Sequence, residues 1–157
     1  MIPPLPTIMV EPAVRAALLE DLGRAGDLTS DAIVPPGVRT ETALMARQPG
    51  VVAGLDYAVT AFRLIDPAID VIVERADGTR LAPGDLIAVI RGPARGILTA
   101  ERTALNFLCH LSGVASATRS IVDAIPVSPM EKVKDSFPVS VFDSSRSHSR
   151  FRLRRLS

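Results

Sequence analysis

Arg102 is the side chain in this sequence whose type and setting best suit a binding role. It stands in the run Thr99-Ala-Glu-Arg-Thr-Ala-Leu-Asn-Phe-Leu-Cys-His-Leu-Ser-Gly-Val-Ala-Ser-Ala-Thr118, the longest stretch with helical period. On a helix, Ala104, Phe107, Leu108, Leu111, Ala115 and Thr118 form one mainly apolar stripe, and Arg102, Asn106 and Gly113 lie on the opposite face. Thr99 is the expected N-cap, with Glu101 in the first turn at the positive end of the dipole. A planar guanidinium turned away from the core binds a carboxylate through two parallel N–H···O bonds, which a lysine cannot do. Spacing alone favours the plainer alternative, a solvated surface arginine paired with Glu101 or with nothing.

Other polar groups offer less. Cys109 and His110 are adjacent, and neighbours on a helix point about 100° apart, so they do not form a nucleophile–base pair. Packing for Cys109 and an exposed or interfacial place for His110 are the expected roles. Asp27, Thr29 and Asp31 could be imagined around Mg²⁺, but the segment Gly26-Asp-Leu-Thr-Ser-Asp31 reads more simply as a polar turn whose side chains bond nearby backbone. Glu20 and Asp21 simply end a helix.

The elements that must position these residues follow in chain order. Glu11 to Leu22 reads as a helix with Val14, Ala17, Leu18 and Leu22 as its stripe, Pro12 in its first turn and Gly23 closing it. Thr40 to Arg47 reads as a strand ended by the turn Gln48-Pro-Gly50, and Val51 to Ala53 extends again. Leu55, Ala58, Val59, Phe62 and Ile65 give a helix stopped by Asp66-Pro67. Ile69 to Arg75 alternates, Asp77-Gly78 is a hairpin turn, and Leu86 to Ile90 is an apolar strand after the turn at Leu81-Ala-Pro-Gly-Asp85. Helices mixed with hairpin-linked strands predict an α+β fold, not a doubly wound parallel sheet.

Size and charge narrow the class. The chain has 157 residues, enough for one domain with a real core and short for two. No apolar run approaches a membrane span, and the opening Met1-Ile-Pro-Pro-Leu-Pro6 does not read as a signal peptide. One cysteine allows no intrachain disulfide, so cytoplasm is the expected compartment. Residues 126–157 carry seven of the 18 basic residues and three of the 17 acidic ones, a balance of +4, leaving −3 for residues 1–125. Both lysines of the chain, Lys132 and Lys134, fall in that tail. Its proline- and serine-rich, basic sequence shows no helical or strand period and is expected to be disordered, without a nucleic-acid or membrane role.

Four runs carry a resemblance: Glu20-Asp-Leu-Gly-Arg-Ala-Gly-Asp-Leu-Thr-Ser-Asp31, Ala46-Arg-Gln-Pro-Gly-Val-Val-Ala-Gly54, Gly84-Asp-Leu-Ile-Ala-Val-Ile-Arg-Gly92 and Glu101-Arg-Thr-Ala-Leu-Asn-Phe-Leu-Cys-His-Leu-Ser-Gly-Val-Ala115. In this order they resemble quinolinate phosphoribosyltransferase across roughly residues 10 to 125. The resemblance implies an N-terminal α/β sandwich domain over 1–98, a linking helix over 99–125 leading into an α/β barrel, and a dimer in which one subunit's N-terminal domain completes its neighbour's site. It also implies quinolinate and phosphoribosyl pyrophosphate as substrates, Mg²⁺ as cofactor, and Arg102 as the residue that contacts a substrate carboxylate across the dimer.

The family's Arg-Lys-Thr-Thr-Pro-Gly run does not occur, and Pro126 begins a different character, so the chain reads as stopping about halfway through the enzyme, without catalytic residues or metal ligands of its own. The helix stripe of Phe107, Leu108 and Leu111 is then expected to lie exposed, with a homodimer or a barrel-bearing chain as partner. A paralogue acting on another acid and a non-catalytic partner-binding module are the alternatives. A lipoyl-type carrier is excluded, because residues 1–125 contain no lysine to modify.

Overall fold

A computed structural model of the protein describes residues 3–23, 26–125 and 151–155. The first helix, α1 (Thr7–Leu22), places Val10, Val14 and Leu18 one turn apart, and all three are buried. It starts four residues before the expected Glu11. Pro12 is therefore interior and not in the first turn, on an exposed part of the helix where the missing N–H is readily tolerated. Gly23 closes α1 with φ +55°. The polar segment after it forms a short helix, α2 (Leu28–Ile33), in place of the expected turn; Asp27 caps it by accepting from the Ser30 N–H at 2.9 Å.

Strand β1 (Arg39–Ala46) pairs antiparallel with β5 (Leu86–Pro93), and β3 (Asp70–Val73) pairs with the other edge of β5. Two short strands, β2 (Gly50–Val51) and β4 (Arg80–Leu81), form a separate ladder. Asp77-Gly78 is thus a turn between strands of two different sheets and not the expected hairpin. The Asp77 carboxylate instead accepts from the Gly54 and Leu55 N–H groups at 2.9 and 3.2 Å. Those amides open α3 (Leu55–Ile65), whose own N-cap is a glycine without a capping side chain.

The long helix, α4 (Ala94–Ala124), begins five residues before the expected cap, directly after β5. Thr99 is therefore interior; its hydroxyl donates to Asp27 Oδ2 at 2.8 Å and ties α4 to the cap of α2. The helices cover the sheet face that carries Leu44, Ala88 and Ile90, and Val14, Phe62, Ala104 and Leu108 complete one core. The stripe of α4 does not lie exposed. Leu108 is fully buried, Phe107 stacks on Tyr57 with ring centroids 5.0 Å apart, and Leu111 lies against Gly54. That surface is satisfied by α3, because residues 55–65 supply a matching apolar stripe within the same domain.

Phe151–Arg155 forms β6, antiparallel to the outer edge of β1, giving the sheet order β3-β5-β1-β6. The expectation of a disordered tail over 126–157 is corrected there: β1 offers an unpaired row of N–H and C=O groups, and five residues of period-two alternation suffice to pair with it. Residues 126–150 and 156–157, and the expectations placed on them, lie outside the described residues.

Ser112 is the polar centre of this packing. Buried on α4, its hydroxyl accepts from the Ala53 N–H at 2.9 Å and donates to the Ala53 C=O at 3.1 Å. Ser112→Ala leaves both backbone groups without that partner and is expected to lower the unfolding free energy by about 1–3 kcal/mol, read from urea midpoints. Gly54→Ala is expected to cost more than about 1 kcal/mol, since φ is +98° there and an added Cβ would meet Leu111 Cδ1 at 2.7 Å.

Candidate functional site: the outer face of the long helix

The side of α4 turned away from the core begins at Leu98 and runs through Arg102, Asn106, His110 and Val114, all exposed. Arg102 stands there as its spacing predicts, with one difference. Its Nη2 pairs with Asp21 Oδ1 at 2.5 Å, and the Asp21 side chain is only 18% exposed against 69% for Arg102. Asp21 lies in the last turn of α1, where a negative charge opposes the helix dipole. That mismatch is the one signal in the sequence that Asp21 serves a tertiary partner. The pair holds one corner of the guanidinium fork against the domain. An ion pair this exposed is worth only about 0–1 kcal/mol, so it orients Arg102 without fixing the fold.

The start of α4 is located by a second set of contacts. Asp27 Oδ2 accepts from Ser30 Oγ at 2.6 Å as well as from Thr99, and Arg95 Nε donates to the Val34 C=O at 2.8 Å. Capping is the role expected for Asp27. Cys109 packs against the core and His110 is exposed, so the adjacent pair is split between two environments. A Cβ at Gly113 would meet nothing within 4 Å, so packing inside the chain does not require that glycine.

Between β1 and α4 lies a pocket of about 370 Å³, walled by Val34, Val38, Ile97 and Leu98 and reached by Thr42 and Glu101. Glu101 neighbours Arg102 in sequence but points a third of a turn away, into this apolar cleft. Burial there pushes its carboxyl above the ordinary value of 4.5. Sequence patterning gave no sign of the pocket, because its walls come from segments more than 50 positions apart. Among the described residues no three His, Cys, Asp or Glu side chains converge to hold a metal ion, and no helix is long and apolar enough to cross a membrane. The outer face of α4 presents an oriented guanidinium beside the exposed Leu98.

A raised carboxyl means that the folded protein holds a proton the unfolded chain has released, so stability falls as pH rises through that window. Glu101→Gln is expected to remove this dependence. Urea midpoints of the variant and the parent should agree near pH 4, and the variant should be the more stable at pH 7.

Comparison with known proteins agrees with this geometry. The family described as quinolinate phosphoribosyl transferase, N-terminal domain, matches residues 27–112, more than half of the chain. A carboxylating nicotinate-nucleotide pyrophosphorylase of Mycobacterium leprae is 41% identical over 115 residues, covering 71% of this chain and 40% of that protein. The chloroplastic enzyme of the same name from Oryza sativa subsp. japonica is 36% identical over 122 residues, covering 78% of this chain and 33% of its own length. Among solved structures, NadC from Streptococcus pyogenes superposes with a TM-score of 0.75 at 38% identity, over 78% of this chain and 44% of that one. The nicotinate-nucleotide pyrophosphorylase from Francisella tularensis gives a TM-score of 0.71 at 31% identity, over 76% and 42%. The chain spans about two-fifths or less of the curated relatives it matches. With the α+β sandwich, the long helix and its outward arginine in place, the chain belongs to the quinolinate phosphoribosyl transferase family, whose N-terminal domain it carries.

Proposed function

We propose that this chain supplies the substrate-anchoring part of a quinolinate phosphoribosyltransferase, the enzyme that joins quinolinate to phosphoribosyl pyrophosphate and releases nicotinate mononucleotide, CO₂ and pyrophosphate in cytoplasmic NAD synthesis. The observation that carries this reading is Arg102, exposed on α4 within the Glu101–Asn106 run and oriented by Asp21. Quinolinate presents two carboxylates on a flat ring, and a guanidinium steadied at one corner meets a carboxylate with little further loss of side-chain freedom.

Transfer itself needs cations around the departing pyrophosphate. The described residues do not fit a metal, so Mg²⁺ and the residues that hold it are assigned to the part of the relatives that this sequence does not match. The domain boundaries follow the same division, with the sandwich handing over to a barrel along α4. Arg102 then serves the site of a neighbouring subunit in a dimer, or of a chain that brings the barrel. The exposed Leu98, Val114, Ile121 and Val122 on α4 favour one second reading, a partner-binding module without catalysis. Which acid is bound, quinolinate or that of a paralogue, is decided by the substrate tested.

Mixing the chain with a barrel-bearing chain and following nicotinate mononucleotide formation tests both readings. Turnover is expected only in the mixture. Arg102→Ala is expected to weaken quinolinate binding by the worth of a charge-assisted contact, about 1.5–3 kcal/mol or roughly ten- to over a hundredfold. The melting temperature should stay nearly unchanged. A complex that forms without turnover would favour the binding module. Turnover indifferent to Arg102 would remove the anchor.

A further inference from the structure

We infer that the outer edge of β1 is a peptide-binding site for an extended segment alternating apolar residues with arginine, and that the chain's own Phe151–Arg155 is its tethered ligand. The inference is independent of the reaction assigned above. It starts from the register: Thr42, Ala43, Leu44, Met45 and Ala46 stand opposite Arg155, Arg154, Leu153, Arg152 and Phe151. Residues directly opposite in an antiparallel pair share a face of the sheet. The positions of Phe151 and Leu153 therefore fall on the face of Ala46 and Leu44, both buried in the core, and that of Arg155 falls on the same face opposite Thr42 at the end of the ladder. Those of Arg152 and Arg154 fall on the face of Met45 and Ala43, the side on which Glu41 pairs with Arg91.

Recognition of this kind divides the work. Main-chain bonds to the strand edge give affinity, and alternate side-chain positions give selectivity. The β1 edge meets both needs, since without β6 it would present a row of unsatisfied N–H and C=O groups beside the sheet face that meets the core. Twenty-five residues, 126–150, separate Ile125 from Phe151. At about 3.3 Å per residue they can reach about 80 Å. The 31 residues of α4 extend only about 46 Å at 1.5 Å each, and β6 lies beside α4. Binding in cis is thus geometrically unforced, and a tether of this length sets an effective concentration near the millimolar range. A second copy must compete with that from solution.

The test uses the full chain and a fluorescein-labelled peptide of residues 149–157. Amides alternate inward and outward along a strand, so the double variant Arg152→Pro/Leu153→Pro must remove at least one N–H from the ladder. The vacated variant is expected to bind the peptide at least tenfold more tightly than the parent, whose site is filled. A peptide of the same composition with its four arginines contiguous should bind neither. In the parent, amides of 151–155 should exchange with solvent at least tenfold more slowly than in the free peptide, a reading that does not depend on how the variant folds. Equal binding of the scrambled peptide, or exchange of 151–155 at the free-peptide rate, would overturn the site. A dimer in solution with β6 paired across copies would overturn the assignment in cis.

Discussion

Everything that faces outward on this domain depends on how closely α4 approaches the segment between β2 and α3. Gly54 lies against the Leu111 side chain, and two hydroxyls finish the contact. Ser116 accepts from the Val51 N–H at 2.8 Å, and Ser112 both accepts from and donates to Ala53. A short strand that pairs only with β4 would otherwise bury amides and carbonyls without partners, each worth about 1–3 kcal/mol if left bare. The two serines stand four residues apart on one side of α4, so a single helical face repeats the same solution one turn later. Apolar packing supplies most of the stabilisation through Leu108, Phe62 and Ala104, but it is indifferent to small rotations. The hydroxyl contacts are not, and they set the rotation of the helix about its axis.

That rotation decides where Arg102 stands. With Ser112 inward, Arg102, ten residues earlier, stands about 80° further round the helix, clear of the core and within reach of the end of α1. The ties from Thr99 to Asp27 and from Arg95 to Val34 fix the first turns of α4 against α2. The outer guanidinium is thereby registered against α1 and α2. The same rotation sends Glu101 into the apolar cleft beside β1 while its neighbour faces water. One residue step along a helix separates a carboxyl that is disfavoured as an ion from a guanidinium that is fully solvated on one side.

The sequence made the elements legible wherever one face of an element is simply apolar. Phe62 with Ala58 marks α3, Leu44 with Ala46 marks β1, and Leu108 with Ala104 marks α4, because burial writes its period directly into residue types. Arg102 was legible as a guanidinium turned away from the core. Its partner was not, since an aspartate at a helix end has several commoner uses and the pairing joins positions 81 apart. Asp77 was misread for a related reason: Asp-Gly is a turn signal, and nothing local says that the carboxylate will cap a helix 22 positions earlier. The early start of α4 was hidden because Pro93, Ala94 and Gly96 carry no apolar period. The strand at 151–155 was hidden by the composition around it. Local physics is written locally, and contacts between distant segments leave only a mismatch, such as an acid at the wrong end of a dipole.

The far end of α4 carries an apolar face that the described residues leave uncovered. Beyond Ser112 the helix continues for three further turns, in which Val114, Ile121 and Val122 are exposed. Past the Ser116 tie to Val51, what holds the helix to the domain is slight: Arg80 pairs with Asp123 at 2.6 Å, and with Arg119, one turn earlier on α4 itself at 2.9 Å, keeps that carboxyl below the usual range. All three groups are solvated, and such pairs contribute little once salt screens them. A helix does not stay ordered over three turns on propensity alone at this length; an amphipathic face is normally satisfied by packing. The inner half of α4 serves the domain, and the outer half leaves an apolar surface and a guanidinium that the described residues do not cover.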